Sequence, residues 1–159
     1  MHSDRKENNQ FDQDVVSHGG YLYTTHPSKS SQLANDRLTE ITKIILEKIK
    51  DRKVIDVGCG DGLYTYQLYC WGKPRLMVGV DSSGEAIKLA KKRFSKESNL
   101  RFKKASCYKL LYPKKEFDVA IVRGLLHHLD RPFKGLAEVS RVAKRVLILE
   151  PNGYNLILK

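Results

Sequence analysis

From Lys53 onward, short apolar runs alternate with stretches of helical periodicity, and this restricts the fold more than any other feature of the chain. "KVIDV", "RLMVGVD", "LRFKKA", "FDVAIVR" and "RVLILEP" have the length and residue types of strands. Between them, "GLYTYQLYCWG", "SGEAIKLAKKRFSKE" and "RPFKGLAEVSRVA" read as helices. Ala86, Ile87, Ala90 and Phe94 share one face of the second, and Pro132 suits the first turn of the third. Gly72 is expected to end the first. Strands apolar at consecutive positions are buried on both faces, which predicts a parallel sheet between two layers of helices. With right-handed crossovers this is an open, doubly wound α/β sheet. Ligands of such sheets bind beyond the carboxyl ends of the strands, where strand order reverses.

Ahead of this core, residues 1–31 read as a polar arm containing "HGGYLYTTHPSKSS". Leu38, Ile41, Ile45 and Ile49, with Ile44 beside them, make "NDRLTEITKIILEKIK" an amphipathic helix. The expected division is an arm and helix over residues 1–50 and a ligand-binding core over 51–159.

With 159 residues the chain can bury one core. It has no run of ~18 apolar residues, so no membrane span is expected. The opening "MHSDRKENNQFDQD" lacks the apolar centre of a secretory signal, so export is not expected. Cys59, Cys70 and Cys107 form no C-x-x-C pair and are odd in number. That predicts reduced thiols in a cytoplasm rather than a disulfide framework or a zinc site, and no metal is expected. Net charge is +11. Residues 1–50 carry seven basic and seven acidic side chains, so the whole excess lies in the core and favours anionic partners.

The stretch "KVIDVGCGDGLYTY" places glycines at 58, 60 and 62, just past the first strand. Glycines there let the chain turn sharply and let a ligand lie against backbone, at the end of a helix that also presents amides. A dinucleotide loop, G-x-G-x-x-G, would need glycine where Leu63 stands, and a phosphate-binding G-K-S/T is missing from "GDGLY". Gly58 and Gly60 are expected at the turn itself. Gly62 is expected to enter the helix and permit its close packing, so that alanine there would cost stability mildly.

"VIDVGCGDG" resembles the first motif of class I S-adenosylmethionine-dependent methyltransferases, and "VGVDSSGEAI" resembles the second. "EFDVAIVRGLLHHLDRPFKGLAEVSRVAKRVLILEPNG" is similar to the stretch from fourth to fifth strand in the small-molecule branch, often called type 11. The resemblance covers residues 53–153. It implies a Rossmann-like three-layer α/β/α sheet of order 3-2-1-4-5, with S-adenosyl-L-methionine as cofactor. The family's final antiparallel strand pair is missing here, and "VAKRV" replaces its Pro-Gly-Gly turn. The fifth strand is then expected to be an exposed edge, in a fragment or in a chain whose partner covers it.

The resemblance also implies site residues. Asp81, ending the second strand, would accept the ribose hydroxyls. Asp56 and Gly58 match positions near the methionine moiety, with Cys59, Gly60, Asp61 and Gly62 completing the loop. Ser82 stands where an apolar residue usually meets the adenine, and Ser106 and Cys107 stand where the family has Asp-Ala. Arg123 ends the fourth strand at the same edge. His127 and His128 follow it, as candidates for a general base or for shaping the loop. Tyr21, Tyr23 and His26 lie in an arm that in the family often folds over the pocket as a lid.

Nucleic-acid amino-methylating enzymes carry Asn/Asp-Pro-Pro-Tyr/Phe where this chain has "VRGL". No cysteine follows a proline, as cytosine-carbon methylation needs, and "RGLLHHLDRP" lacks the glutamates of arginine methyltransferases. The expectation is methyl transfer to a small molecule, with Arg123 and the positive charge leaving room for an anionic one. The second reading is a catalytically silent cofactor-binding or nucleic-acid-binding module, drawn from the charge and the substitutions around the adenine position.

Overall fold

The computed structural model describes residues 43–150, together with the single residue Val16. Residues 43–49 are helical and are called α1 here. There follow β1 (Lys53–Val57), α2 (Leu63–Gly72), β2 (Leu76–Asp81), α3 (Gly84–Arg93), β3 (Leu100–Lys104) and β4 (Phe117–Arg123). A 3-10 turn (Leu126–His128), α4 (Pro132–Val142) and β5 (Ala143–Leu149) complete the described part. The five strands form one parallel sheet in the order β3-β2-β1-β4-β5, the doubly wound order expected from the sequence. The order reverses at β1, between β2 and β4, which places the ligand edge at the carboxyl end of β1.

Consecutive apolar residues within a strand serve opposite faces of the sheet. Val54, Met77, Val119 and Ile121 pack with Ile45 and Ile49 of α1, Leu68 of α2, and Ile87 and Ala90 of α3. Ile55, Val57, Val78, Val80, Ala120 and Val122 pack on the other face with Val139 and Val142 of α4. Each such buried aliphatic side chain contributes about 1.5–3 kcal/mol, so both layers are needed to hold the sheet. Ile44 points outward, and Leu38 and Ile41 lie outside the described residues.

α2 ends at Gly72 as expected, and its left-handed C-cap falls on Lys73, with φ 46° and its amide on Tyr69 O. Gly72 also makes room for α1, since a Cβ there would lie 2.5 Å from Ile49 Cδ1. The helix–strand turn before β5 is absent, as "VAKRV" implied. α4 runs straight into β5 through Ala143, whose φ of −122° and ψ of 151° are already extended. β5 is the expected edge among the described residues, with Lys144, Arg145 and Ile148 exposed along it.

Phe102 of β3 fills a gap between two glycines. A Cβ on Gly79 of β2 would lie 2.7 Å from its Cδ1, and one on Gly62 2.7 Å from its Cε1. The ring also closes an aromatic ladder with Phe94 at 5.9 Å, itself stacked on Tyr66 of α2 at 4.4 Å. Opposite, Arg141 of α4 holds the segment before β4, donating to Tyr112 O and Leu110 O at 2.8 Å while pairing with Glu138. At the amino end of the sheet, Asp118 of β4 accepts from Lys53 N of β1 and Lys144 Nζ of β5.

Candidate functional site

The chain turns sharply after β1 because three residues take positive φ: Gly58 at 83°, Gly60 at 55° and Gly62 at 78°. L side chains resist that region. Gly58 and Cys59 donate their amides to Val80 O, at 2.8 and 3.1 Å, which ties the loop to the end of β2. Asp81, the last residue of β2, accepts from Gly60 N through Oδ2 and from Ser83 N through Oδ1, both at 2.8 Å. Its carboxylate therefore braces the glycine loop and the entry to α3 together. Ser83, and not Asp81, is the N-cap of α3, accepting from Ala86 N at 3.0 Å.

Asp56 lies beneath this loop and is 3% exposed. Burial pushes its carboxyl up to about 6, against the opposing pull of a 2.6 Å hydrogen bond from Thr65 Oγ1 and of the Arg123 charge. Arg123, at the carboxyl end of β4, lays its guanidinium over the Tyr64 ring at 3.8 Å. Asp56, Asp81, Gly58, Gly60 and Arg123 thus share the edge where the strand order reverses.

The other sequence candidates sit in the same loop or in the turns that follow β2 and β3. Asp61 is 2% exposed and turns inward, pairing with Arg93 at 2.9 Å and accepting from Leu63 N at 3.2 Å. Its carboxylate is a support for the loop. Cys59 is buried in the core below the loop, where loss of hydration pushes its thiol well up. Gly62 faces Phe102 and Ala90. Ser82 stands between Asp81 and the cap Ser83 at the tip of β2. Ser106 is exposed in a tight turn after β3, accepting from Tyr108 N and Lys109 N. Cys107 beside it is half-buried, its Sγ 3.5 Å from where a Cβ of Gly135 would be. Tyr21, Tyr23 and His26 lie outside the described residues.

The segment after β4 closes over the glycine loop: a Cβ on Gly58 would meet Leu125 side-chain atoms at 3.2 Å. One residue absent from the sequence-based list holds this segment. Glu150, just past β5, accepts from Leu125 N and Leu126 N through Oε1, both at 2.9 Å, and its Oε2 meets His127 Nδ1 at 2.6 Å. Partial burial pushes its carboxyl up, but the bonds from His127, Leu126 and Leu125 outweigh this and hold it below the usual range. The signal for it was the parallel register, which pairs Arg123 with Leu149 and so sets Glu150 beside Gly124. The rings of His127 and His128 lie 3.9 Å apart.

Among the described residues, no helix is long and apolar enough to cross a membrane, and no three His, Cys, Asp or Glu side chains are grouped as a metal site. A doubly wound sheet with a left-handed glycine loop at its switch point, braced by the acid one strand over, defines an α/β protein for nucleotide-type cofactors. Within that class the chain belongs to the class I S-adenosylmethionine-dependent methyltransferases, the family model described as "Methyltransferase domain" matching residues 55–153. It is 28% identical over 142 residues to an uncharacterized methyltransferase of Schizosaccharomyces pombe, covering 84% of this chain and 47% of that one. It is 27% identical over 143 residues to the O-methyltransferase cnsE of Penicillium expansum, covering 83% and 51%. The chain thus spans about half the length of these relatives. Among solved structures, the YcgJ protein of Bacillus subtilis shares the fold with a TM-score of 0.63 at 22% identity, over 76% of this chain and 54% of that one. A SAM-dependent methyltransferase from Aquifex aeolicus gives a TM-score of 0.59 at 25% identity, over 65% and 57%.

Proposed function

We propose that this chain binds S-adenosyl-L-methionine and transfers its methyl group to a small-molecule acceptor. The observation that carries the reading is Asp81, braced by Gly60 N and Ser83 N beside three left-handed glycines. The residues present fit such a cofactor. A carboxylate has acceptor capacity for two backbone amides and a pair of ribose hydroxyls. Asp56 offers a buried carboxylate for the ammonium group, and the positive charge would draw its raised carboxyl back to the ionised form. Gly58 and Gly60 supply backbone for close approach, while Asp61, Cys59 and Gly62 support the loop from within. Ser82, Ser106 and Cys107 are the side chains proposed around the base, where the family's acid is replaced.

When bound, the cofactor supplies a methyl group already activated by its sulfonium. What the chain adds is alignment and exclusion of water. The loop after β4 performs both: Leu125 covers Gly58, and Arg123 on Tyr64 forms a cationic wall suited to an acceptor that is also anionic. A cytoplasmic location accords with three free thiols. The net charge of +11 supports the second reading, a silent module that binds nucleic acid.

Calorimetry with S-adenosylmethionine, S-adenosylhomocysteine and a nicotinamide dinucleotide separates these. Binding of the first two alone is expected, followed by transfer of labelled methyl into a crude small-molecule extract. Dinucleotide binding without response to either sulfur ligand would end the proposal. Salt-dependent RNA binding with no methylated product would favour the silent module.

A further inference from the structure

We propose that the α3–β3 edge of the sheet binds the phosphate backbone of nucleic acid, at a surface apart from the glycine loop. The surface stands independently of the methyltransferase reading. Residues 88–115 carry eleven of the chain's 29 Lys and Arg side chains but only one, Glu97, of its 18 Asp and Glu. The rest of the chain has eighteen basic and seventeen acidic side chains, so this stretch holds nearly the whole net charge of +11.

The fold gathers the stretch on one side of the molecule. Among the described residues β3 pairs with β2 alone and ends the sheet there. Phe94, just past α3, meets Phe102 of β3 at 5.9 Å, which seats the helix end against the edge. Lys91, Lys92 and Lys96 project from the end of α3 and the turn after it, and Arg101, Lys103 and Lys104 from β3; all six are exposed. Arg101 and Lys103 alternate with the buried Leu100 and Phe102, and Lys103 reaches over the Tyr112 ring at 5.6 Å. Lys104 falls on the side of α3, where a Cβ on Gly84 would lie 3.2 Å from its Nζ. Positive charge therefore lines both sides of a five-residue edge, about 17 Å long.

Ion pairing leaves most of this charge uncompensated. Of the eleven, Lys88 pairs with Glu85 and Arg93 with Asp61, and Lys115 is taken up by the carbonyls of Ser140 and Ala143. Among the described residues the other eight make no ion pair. Lysines do guard an open strand against pairing, but a guard belongs on the strand itself. Solubility is served by mixed signs. Neither accounts for the lysines at the end of α3 or for so few acids beside them. Like charges so placed repel one another, and an anionic partner relieves the repulsion.

The partner's class follows from what the surface lacks. Leu111 is the one exposed large aliphatic side chain between residues 88 and 115, and Ala86, Ile87 and Ala90 of α3 are buried against the sheet. A protein partner needs an apolar centre, and a helix lying in a membrane needs its apolar face free. Phosphodiester binding needs neither, because counterions released as Lys and Arg meet phosphates supply its affinity.

Fluorescence anisotropy with a labelled single-stranded RNA and a labelled DNA duplex, both of mixed sequence, tests this. The wild type should bind at least one with a Kd of about 1 μM at about 50 mM salt. Between about 50 and 200 mM salt, single-strand affinity should fall by about 10²–10³-fold, as for about six phosphate contacts. The triple variant Lys91→Gln, Lys92→Gln, Lys96→Gln should bind about 10²-fold more weakly at about 50 mM, with a salt slope shallower by about 2. The control Lys48→Gln, Lys50→Gln, Arg145→Gln removes the same charge from exposed positions at the end of α1 and on β5, the opposite edge. It should stay within about threefold of wild type, since it touches no phosphate. Binding to RNA alone or to DNA alone supports the surface and names the polymer. No binding to either, equal losses in the two triple variants, an affinity indifferent to salt, or capture by phosphatidylserine vesicles with neither nucleic acid bound each overturns the proposal. S-adenosylhomocysteine affinity should be the same in all three proteins; a fall confined to the Lys91, Lys92 and Lys96 variant overturns the separation from the loop. A wild type that binds nucleic acid but not S-adenosylhomocysteine keeps this surface and strikes the methyltransferase reading instead.

Discussion

Replacing Gly62 with alanine tests whether the loop's third glycine serves the ligand or the fold. Its φ of 78° places alanine in the left-handed region, at about 1–2 kcal/mol. The new methyl would lie 2.7 Å from Phe102 Cε1 and Cζ and 2.9 Å from Ala90 Cβ. Neither neighbour can yield easily, since Phe102 is wedged against Gly79 and Ala90 is fixed in α3; such overpacking costs about 1–3 kcal/mol. Alanine regains about 0.4–1 kcal/mol by restricting the unfolded chain. The net expectation is about 1–4.5 kcal/mol of lost stability, a large share of the 5–15 kcal/mol typical of a domain. Urea denaturation measures it, and S-adenosylhomocysteine should still raise the midpoint of the folded fraction. Phe102→Leu in the same chain should recover part of the loss, because the two sites touch. A loss below about 0.5 kcal/mol, the scale of an unremarkable surface change, would refute the packing argument.

Asp81→Ala should weaken S-adenosylmethionine and S-adenosylhomocysteine alike by about 1–3 kcal/mol, because both present the same ribose; calorimetry giving unequal losses would point to a different contact. Asp56 binds a proton more tightly folded (about 6) than in its ordinary state (3.8), so stability should fall as pH rises between these values, by up to about 3 kcal/mol. Denaturation across that window should show a shallower slope for Asp56→Asn, which should also be the more stable protein above pH 6. Arg93→Ala strands the inward-facing Asp61 carboxylate and should cost about 3 kcal/mol of stability; a thermal melt matching the wild type would return Asp61 to the ligand side.

The layers and strand order were legible because alternating apolar runs and the family motifs specify them, and the glycine turn was legible because its φ values leave little choice of residue. What escaped the sequence depends on partners distant along the chain. Asp61 reads as another polar loop residue until Arg93 of α3 is brought to it. Glu150 reads as the polar end of a strand until the register lays it beside Gly124. Gly72 ends α2 as read, but the space it leaves for α1 and the left-handed cap at Lys73 both depend on contacts the sequence does not display. The termination of α4 directly into β5 had no turn signal to read, since Ala143 serves both elements.

The Phe102 ring occupies volume that two Cβ atoms, on Gly62 and Gly79, would otherwise claim. This orders the mutational paths open to the chain over generations. A side chain cannot enter at either glycine while the phenyl ring is present, and shrinking the ring first leaves a hole beneath the loop. Drift at these three positions should therefore proceed in concert, beginning at 102 and passing through a less stable intermediate. Lineages carrying a smaller residue at 102 are the ones in which position 79, whose φ imposes no left-handed constraint, can vary, provided that Cys59, whose Sγ would lie 3.0 Å from a Cβ there, also gives way.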